Sequence, residues 1–152
     1  MDAINSVPEA LAPQDLAPEA VAQAFVRAIN RQDVPTLEAL MAPDHRFVNA
    51  LGEQLEGAEI LREGWVRYFQ MVPDYTIELE ESYAIGAVVV LLGVAHGTYT
   101  ADGQLHPENA WQTPLAVRVL VGDGHVIEWR IYADNEPIRR IMRQRGQEHT
   151  AA

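Results

Sequence analysis

The chain has 152 residues, of which 48% are hydrophobic, a length and composition that suit one domain with a sizeable core. It contains no cysteine, which excludes a disulfide framework, a thiol nucleophile and a thiolate metal site. Its formal net charge of -11 argues against nucleic acid and anionic membranes as partners, because their phosphate groups repel an acidic protein.

The sequence carries no sign of a membrane anchor, an export signal or a bound cofactor. Its longest apolar run, near residues 87–95, is interrupted by glycine and is too short to span a bilayer. The first residues lack the basic and apolar regions of a signal peptide. The five histidines show no metal-binding spacing, such as two histidines one helical turn apart. We therefore expect a cytoplasmic protein with no metal and no other cofactor.

The first half of the chain is predicted to be mainly helical. Residues 1–16, rich in proline, alanine and acids, predict a mobile arm. A helix is expected from Pro18 to the sequence NRQD, with Val21, Phe25 and Ile29 on one face. A second, short helix is predicted in VPTLEALMAP, a short strand in HRFVNAL and a third helix in GAEILREGWVRYFQMVPD.

The second half is predicted to be a series of long strands. They lie in YTIELEESYAIG, AVVVLLGVAHGTYT, NAWQTPLAVRVLV and HVIEWRIYAD, with a hairpin at the GDG between the last two. A helix from about Glu136 closes the domain, and residues 146–152 predict a disordered tail. This order predicts an α+β fold in which a strongly bent antiparallel sheet wraps around three helices as a cone.

Strand alternation assigns residues to the two faces of the predicted sheet. In the last strand Trp129 and Ile131 alternate with Arg130 and Tyr132, so the apolar pair should face the helices. By the same alternation Trp111 faces inward on the preceding strand.

The two faces have different expected roles. The helices cannot fill the whole concave side, which predicts a pocket there. The outer face carries Leu120 and Tyr132 and is predicted to pair with a second copy, giving a homodimer.

Two stretches of the sequence resemble a SnoaL-like domain of the nuclear-transport-factor-2-like superfamily. The first contains the helix ending in NRQD, the short helix LEALMAPD, the strand RFVN and Gly57 before the long third helix. The second runs through AHGTYT, VGDGHVIEWRIYAD and IRRIM. The resemblance implies a cystatin-like α+β barrel over residues 17–145. Relatives of this fold include ketosteroid isomerases, polyketide cyclases, limonene epoxide hydrolases and binding domains, so the fold alone does not give the function.

The resemblance also identifies where such relatives carry their acids and bases. Ketosteroid-isomerase-like relatives place an acidic base at the end of the first strand and a hydroxyl donor in the first helix, where this chain has Asn49 and Phe25. Cyclase-like and epoxide-hydrolase-like relatives place an inward acid on the last strand, where this chain has Ile131. Asn49 matches only the epoxide-hydrolase type, in which an asparagine helps to hold a water. Enzymatic activity stays open, with isomerase, cyclase or hydrolase chemistry as the expected class.

Asp134 stands between the last strand and the closing helix. By strand alternation its side chain falls on the outer face of the sheet. An aspartate before a helix accepts hydrogen bonds from the free backbone N–H groups of the first turn. We favour this cap over a catalytic role. A one-residue slip of the strand would reverse the faces and point Asp134 inward.

The remaining candidate for proton chemistry is His96, in the middle of the sheet. Either it lies on the outer face, or it faces inward and acts as acid or base, with Asn49 orienting substrate or water. His45, His106 and His125 are expected at the surface. The residues predicted to contact a ligand are Asn49, Trp65, Phe69, His96, Trp111, Trp129 and Ile131.

Two functions remain. The first is binding of a small, largely apolar molecule (steroid-, polyketide- or terpenoid-like) in the cone, with or without proton transfer led by His96. The second is a non-catalytic protein-interaction or dimerisation domain whose cone is filled by its own tryptophans. A cavity beside Asn49 and His96 favours the first, and a packed interior favours the second.

Overall fold

The computed structural model describes residues 17–145, so the predicted arm and tail lie outside the described residues. The helices are α1 (Pro18–Arg31), α2 (Val34–Leu40), α3 (Ala58–Met71) and α4 (Glu136–Gln144). The strands are β1 (Met41–Val48), β2 (Gln54–Glu56), β3 (Thr76–Ile85), β4 (Val88–Thr98), β5 (Ala110–Gly122) and β6 (His125–Ala133). Between residues 17 and 145, no helix is long and apolar enough to cross a membrane.

The helix boundaries follow the local sequence signals with one exception. α1 begins at Pro18 and α4 at Glu136, as predicted, and both carry proline in the first turn, where its missing N–H costs nothing. The exception is the second helix, which stops at Leu40 instead of continuing through MAP. Met41 already belongs to β1 and pairs with Val126 of β6, so long-range strand pairing overrides helix propensity here.

The six strands form one sheet in the order β2-β1-β6-β5-β4-β3. The predicted α+β fold, a curled sheet around helices, is confirmed. One strand pair departs from the antiparallel pattern: β1 and β6 run parallel. Parallel neighbours need a long connection, and here most of the domain lies between them.

Register shifts curl the sheet. The pairing of β3 with β4 shifts between Leu79 and Glu81, and such a bulge bends the strand and increases its twist. Beside it, a Cβ added to Gly93 would lie 2.2 Å from the Glu78 carbonyl oxygen, so only glycine permits this close approach. The bend closes the sheet around α1.

The predicted strand phasing is confirmed. Trp129 and Val119 have no exposed surface, whereas Tyr132 is 53% exposed. The inward residues of β5 and β6 meet the buried face of α1, which includes Phe25 and Ile29. The core therefore sits between the concave face of the sheet and the helices.

Polar side chains fasten α1 to β3, the edge strand of the sheet. The Asn30 amide donates to the Ile77 carbonyl at 3.0 Å and accepts from the Ile77 N–H at 2.8 Å, as a neighbouring strand would. The Ser82 hydroxyl also donates to the Glu19 carboxylate. These contacts use the free backbone groups of the edge and hold the helix inside the cone.

Candidate functional site

Aromatic rings in mutual contact line the inner side of the cone beside α3. The Trp65 ring lies 5.4 Å from Phe69 and 6.2 Å from each of Phe47 and Tyr68, and it meets the last two edge-on. These edge-to-face geometries add to the stabilisation that ring burial provides.

The series of rings continues to β5. Tyr68 meets Tyr75 edge-on at 5.0 Å, and Tyr75 lies 6.1 Å from Trp111. We call the whole set the aromatic wall; it consists of Phe47, Trp65, Tyr68, Phe69, Tyr75 and Trp111.

The two phenols of the wall remain protonated. Burial raises the pKa of Tyr75, and burial together with the neighbouring Tyr75 raises the pKa of Tyr68. Both hydroxyls can therefore donate a hydrogen bond at any physiological pH. Neither tyrosine was among the residues predicted to contact a ligand.

The deep end of the cone is filled by protein. Trp129 and Phe25 have no exposed surface, and their rings lie 4.7 Å apart. At the wall, by contrast, Trp65, Phe69 and Trp111 keep 7–8% exposure, and Phe47 and Tyr68 are only partly buried. The wall therefore keeps small exposed areas, whereas Trp129 and Phe25 at the deep end have none.

Three buried indole N–H groups have no acceptor. The Nε1 atoms of Trp65, Trp111 and Trp129 are buried, and none finds a hydrogen-bond partner among residues 17–145. An indole N–H can only donate, and each unsatisfied buried donor costs about 1–3 kcal/mol. An oxygen atom brought in from outside the protein would recover that cost.

His45 lies in the interior, which corrects its predicted surface position. It has no exposed surface, because β1 begins at Met41 and carries the imidazole into the sheet. Its Nδ1 lies 2.8 Å from the Val126 carbonyl oxygen, so Nδ1 carries the proton. Nε2 is then a buried acceptor, and it has no partner among the described residues.

Burial keeps this imidazole neutral. Desolvation lowers the pKa of His45 below 6.5, with Arg46 lowering it further, while the contact with Val126 and the charges of Asp44 and Glu128 act in the opposite direction. As pH falls through 6.5 the unfolded chain takes up this proton before the folded one does. The free energy of unfolding is therefore highest above pH 6.5 and falls toward the lower folded pKa.

A His45→Gln variant should lose this dependence on pH. Glutamine keeps a donor for Val126 but does not titrate. Between pH 7.5 and 5.5, the free energy of unfolding should fall less steeply in the variant than in the wild type. The two slopes should differ by up to about 1.4 kcal/mol per pH unit. Urea unfolding across this range measures the slope, with His106→Gln, at an exposed histidine, as the control. Parallel curves for wild type and His45→Gln would contradict the assignment.

The Asn49 side chain makes its hydrogen bonds within a turn and not in the cone. Its Oδ1 accepts from the N–H groups of Leu51 and Glu53 at 2.9 and 3.0 Å, and its Nδ2 donates to the Glu53 carboxylate at 2.9 Å. The side chain thus closes the connection between β1 and β2, as asparagine commonly does in turns.

His96 lies on the outer face of the sheet, which is the first of its two predicted placements. Its side chain is 43% exposed, and Nε2 is 3.9 Å from the Glu78 carboxylate. It borders an open groove of about 430 Å³ together with Asp74, Gln112 and Trp111, the last of which also belongs to the aromatic wall. β5 and β6 separate its strand from β1, so the structure does not bring Asn49 and His96 together.

Two of the three positions that the resemblance assigns to the polar groups of relatives hold apolar side chains inside this cone. Phe25 is fully buried, and Ile131 packs against the core from β6. Asp134 is exposed, and its Oδ1 accepts from the Glu136 N–H at 3.0 Å, at the start of α4. Asp134 thus accepts from a backbone N–H at the helix start, as predicted, although the N-cap residue itself is Asn135. Within the described part of the chain, no three histidine or acidic side chains converge as metal ligands.

A buried acid, Glu128, lies on the outer face and was not indicated by the sequence. Its carboxylate lies 3.4 Å from Arg46, 3.5 Å from Arg118 and 3.6 Å from Arg130. Three strands supply these partners. The sequence did contain a sign of this cluster: by strand alternation, Glu128 and the arginines of the last two strands all fall on the outer face.

Solved structures share this fold at low sequence identity. The candidate polyketide cyclase IdmH of Streptomyces antibioticus is 21% identical with a TM-score of 0.70, covering 84% of this chain and 99% of that one. An epoxide hydrolase of the LEH-like type from M. tuberculosis is 18% identical with a TM-score of 0.69, covering 84% and 90%.

A third similar structure contains a bound small molecule. It is a ketosteroid-isomerase-like protein of Catenulispora acidiphila in complex with trimethylamine, 17% identical with a TM-score of 0.68, covering 79% of this chain and 89% of that one. No curated protein matches the sequence at a significant level. The model of the SnoaL-like domain matches residues 22–129. The chain therefore belongs to the SnoaL-like domain family.

Proposed function

We propose that this protein binds a small, largely apolar molecule against the aromatic wall. The observation that carries the proposal is the pair of unpartnered indole N–H groups of Trp65 and Trp111. Ligand pockets are typically apolar with a few polar groups that orient the ligand, and this wall has that composition.

The wall favours a particular class of ligand. Flat rings or fused rings stack well on aromatic side chains, and a carbonyl or ether oxygen would accept from Trp65, Trp111 or the Tyr68 hydroxyl. The net charge of -11 disfavours a polyanion. Steroid-, polyketide- and terpenoid-like molecules meet these conditions, and cyclase-like and epoxide-hydrolase-like proteins are among the similar structures.

The ligand is bound in the cone, and neither Asn49 nor His96 transfers a proton to it there. Asn49 is engaged in its turn, and a catalytic role for His96 requires a substrate in the outer groove. His45 is the imidazole that faces the interior, with a neutral acceptor nitrogen. We also propose a cytoplasmic location, in keeping with a chain that has no cysteine.

A dose-dependent thermal-shift screen of such compounds tests the proposal, because a ligand at 100 times its Kd adds about 2.7 kcal/mol of stability. The variant Trp65→Phe keeps an aromatic ring but loses the N–H group. It should bind a hit about fivefold more weakly, the cost of one hydrogen bond of about 1 kcal/mol. His96→Ala, outside the cone, should bind as wild type does.

Two results would contradict the proposal. In one, Trp65→Phe keeps full affinity for every hit while His96→Ala loses it, which would move the site to the outer groove. In the other, no compound raises the melting temperature with dose. That result favours the alternative function, an interaction domain with a filled cone, which the packing of Phe25 against Trp129 supports at the deep end.

A further inference from the structure

The last helix, α4, lies along the first part of β5. At the start of the helix, the Thr113 hydroxyl donates to the Asp134 carbonyl oxygen at 3.0 Å. At its end, the Arg145 guanidinium donates from Nε and Nη2 to the Asn109 Oδ1 at 3.1 and 2.9 Å. Because Asn109 precedes Thr113 in the chain, α4 runs antiparallel to this part of β5.

The helix passes over Trp111, at one end of the aromatic wall. The 9 residues of α4 rise by about 13 Å at about 1.5 Å each. Extended chain from Asn109 to Thr113 covers about the same 13 Å at about 3.3 Å per residue. Trp111 lies midway along it and shares the inner side with Thr113, since both are buried whereas Ala110 and Gln112 are exposed.

α4 has one apolar and one charged face. Ile138, Ile141 and Met142 are buried and belong to the hydrophobic core. Arg140 and Arg143 are exposed. An amphipathic helix of this kind turns its apolar face to the interior and its charged face to water. The helix therefore covers the Trp111 end of the wall with apolar side chains.

The wall is closed to a fused-ring molecule in this structure. Trp65, Phe69 and Trp111 are each only 7–8% exposed, whereas a bound ligand of that size buries most of its surface against its site. An element must therefore move before such a ligand can stack on the rings. α1, α2 and α3 each pack on several elements, but α4 packs mainly on β5. The element with few neighbours opens at the lowest cost in free energy.

We propose that α4 is a lid on the aromatic wall, held closed by the contact of Arg145 with Asn109, and that it moves away from β5 to admit and release the ligand. The pivot is the start of the helix, because β6 leads directly into it. The family model matches residues 22–129 and so does not include α4. The inference rests on the proposed function for its ligand, but opening of the lid is measurable without one.

The first test measures hydrogen exchange of the indole N–H groups by NMR in the ligand-free protein. Arg145→Met removes the donors but keeps an apolar stem. It should speed exchange at Trp111 about tenfold, because hydrogen bonds from a charged group favour the closed state by at least about that factor. Exchange at Trp129, in the deep end, should not change. The control is Arg140→Met, which removes an exposed arginine whose ion pair lies within α4, and it should change neither rate.

A double-mutant cycle identifies the contact that holds the lid. Asn109→Ala removes the acceptor and should also speed exchange at Trp111. Arg145→Met should then have little further effect in the Asn109→Ala background, since the two residues act through one contact. Unchanged exchange at Trp111 in both single variants would overturn the proposal. So would additive effects of the two substitutions, or equal acceleration at Trp111 and Trp129, which would mean that the whole domain opens.

Stopped-flow binding of a compound found by thermal shift separates the lid from the proposed function. Arg145→Met should raise the association and dissociation rate constants by a similar factor, about tenfold, and keep Kd within about twofold, because a lid that opens more often speeds passage in both directions. Binding with wild-type rate constants would overturn the lid and leave the ligand site in place. If no compound binds, the proposed function fails, and indole exchange at Trp111 alone decides the lid.

Discussion

Replacing Trp129 with alanine is expected to lower the free energy of unfolding by about 3–5 kcal/mol, because the ring is wholly buried and leaves a cavity that its neighbours cannot fill. Trp129 has no exposed surface, and it packs against Phe25 of α1, also fully buried. The substitution therefore removes the contact that joins the first helix to the last strand. Urea unfolding at neutral pH, with the midpoint and slope both fitted, measures the loss.

The matched control is Gln112→Ala, at an exposed outward position of β5. Its effect should stay within about 0.5 kcal/mol, as is usual for surface substitutions. Comparable losses for the two variants would contradict the strand phasing on which the placement of the interior depends.

The second large effect is expected from Glu128→Ala. Removing one member of a buried ion pair costs about 3–5 kcal/mol in general, since the remaining charges stay desolvated. Here Arg46, Arg118 and Arg130 are each about one-third exposed and can turn toward water, so we expect a loss of about 2–4 kcal/mol. The same unfolding experiment measures it.

An exposed acid with arginine partners provides the comparison. Glu136 of α4 lies 2.5 Å from Arg143 and 4.0 Å from Arg140, but 41% of its side chain is exposed. Glu136→Ala should cost less than about 1 kcal/mol, as exposed pairs do. An equal loss for Glu128→Ala and Glu136→Ala would show that burial of Glu128 has no energetic consequence.

Much of the fold was predictable because local signals and tertiary structure agree. Proline in the first turns of α1 and α4 gave the helix starts. The alternation around Trp129 gave the faces of β6. Asp123 and Gly124 adopt positive φ angles of 54° and 77° in the GDG hairpin, the conformation that this sequence favours.

The phasing of β4 was not predictable in the same way. From Val88 to Ala95 the strand holds apolar residues and glycine on both faces, so alternation gives no information about His96. Its outward position follows from register with Thr76 of β3, a residue far away in sequence. Only the assembled sheet fixes that register.

The candidate site residues depended on other distant contacts. His45 is buried because β1 pairs with β6, where the carbonyl oxygen of Val126, 81 positions away in the sequence, accepts a hydrogen bond from its imidazole. The position of Asn49 depends instead on a local contact, because its amide is satisfied within the turn that contains Leu51 and Glu53. An asparagine near a glycine after a strand is more readily a turn residue than a ligand contact.

The most direct test of ligand binding at the aromatic wall is the indole N–H spectrum of the ¹⁵N-labelled protein. The chain has three tryptophans, so it gives three such resonances, each assigned by a Trp→Phe variant. A ligand found by thermal shift should move the resonances of Trp65 and Trp111 with dose until they saturate, and move that of Trp129 less. Because Trp111 also borders the outer groove, saturable binding that leaves the Trp65 resonance unmoved would contradict a ligand site in the cone.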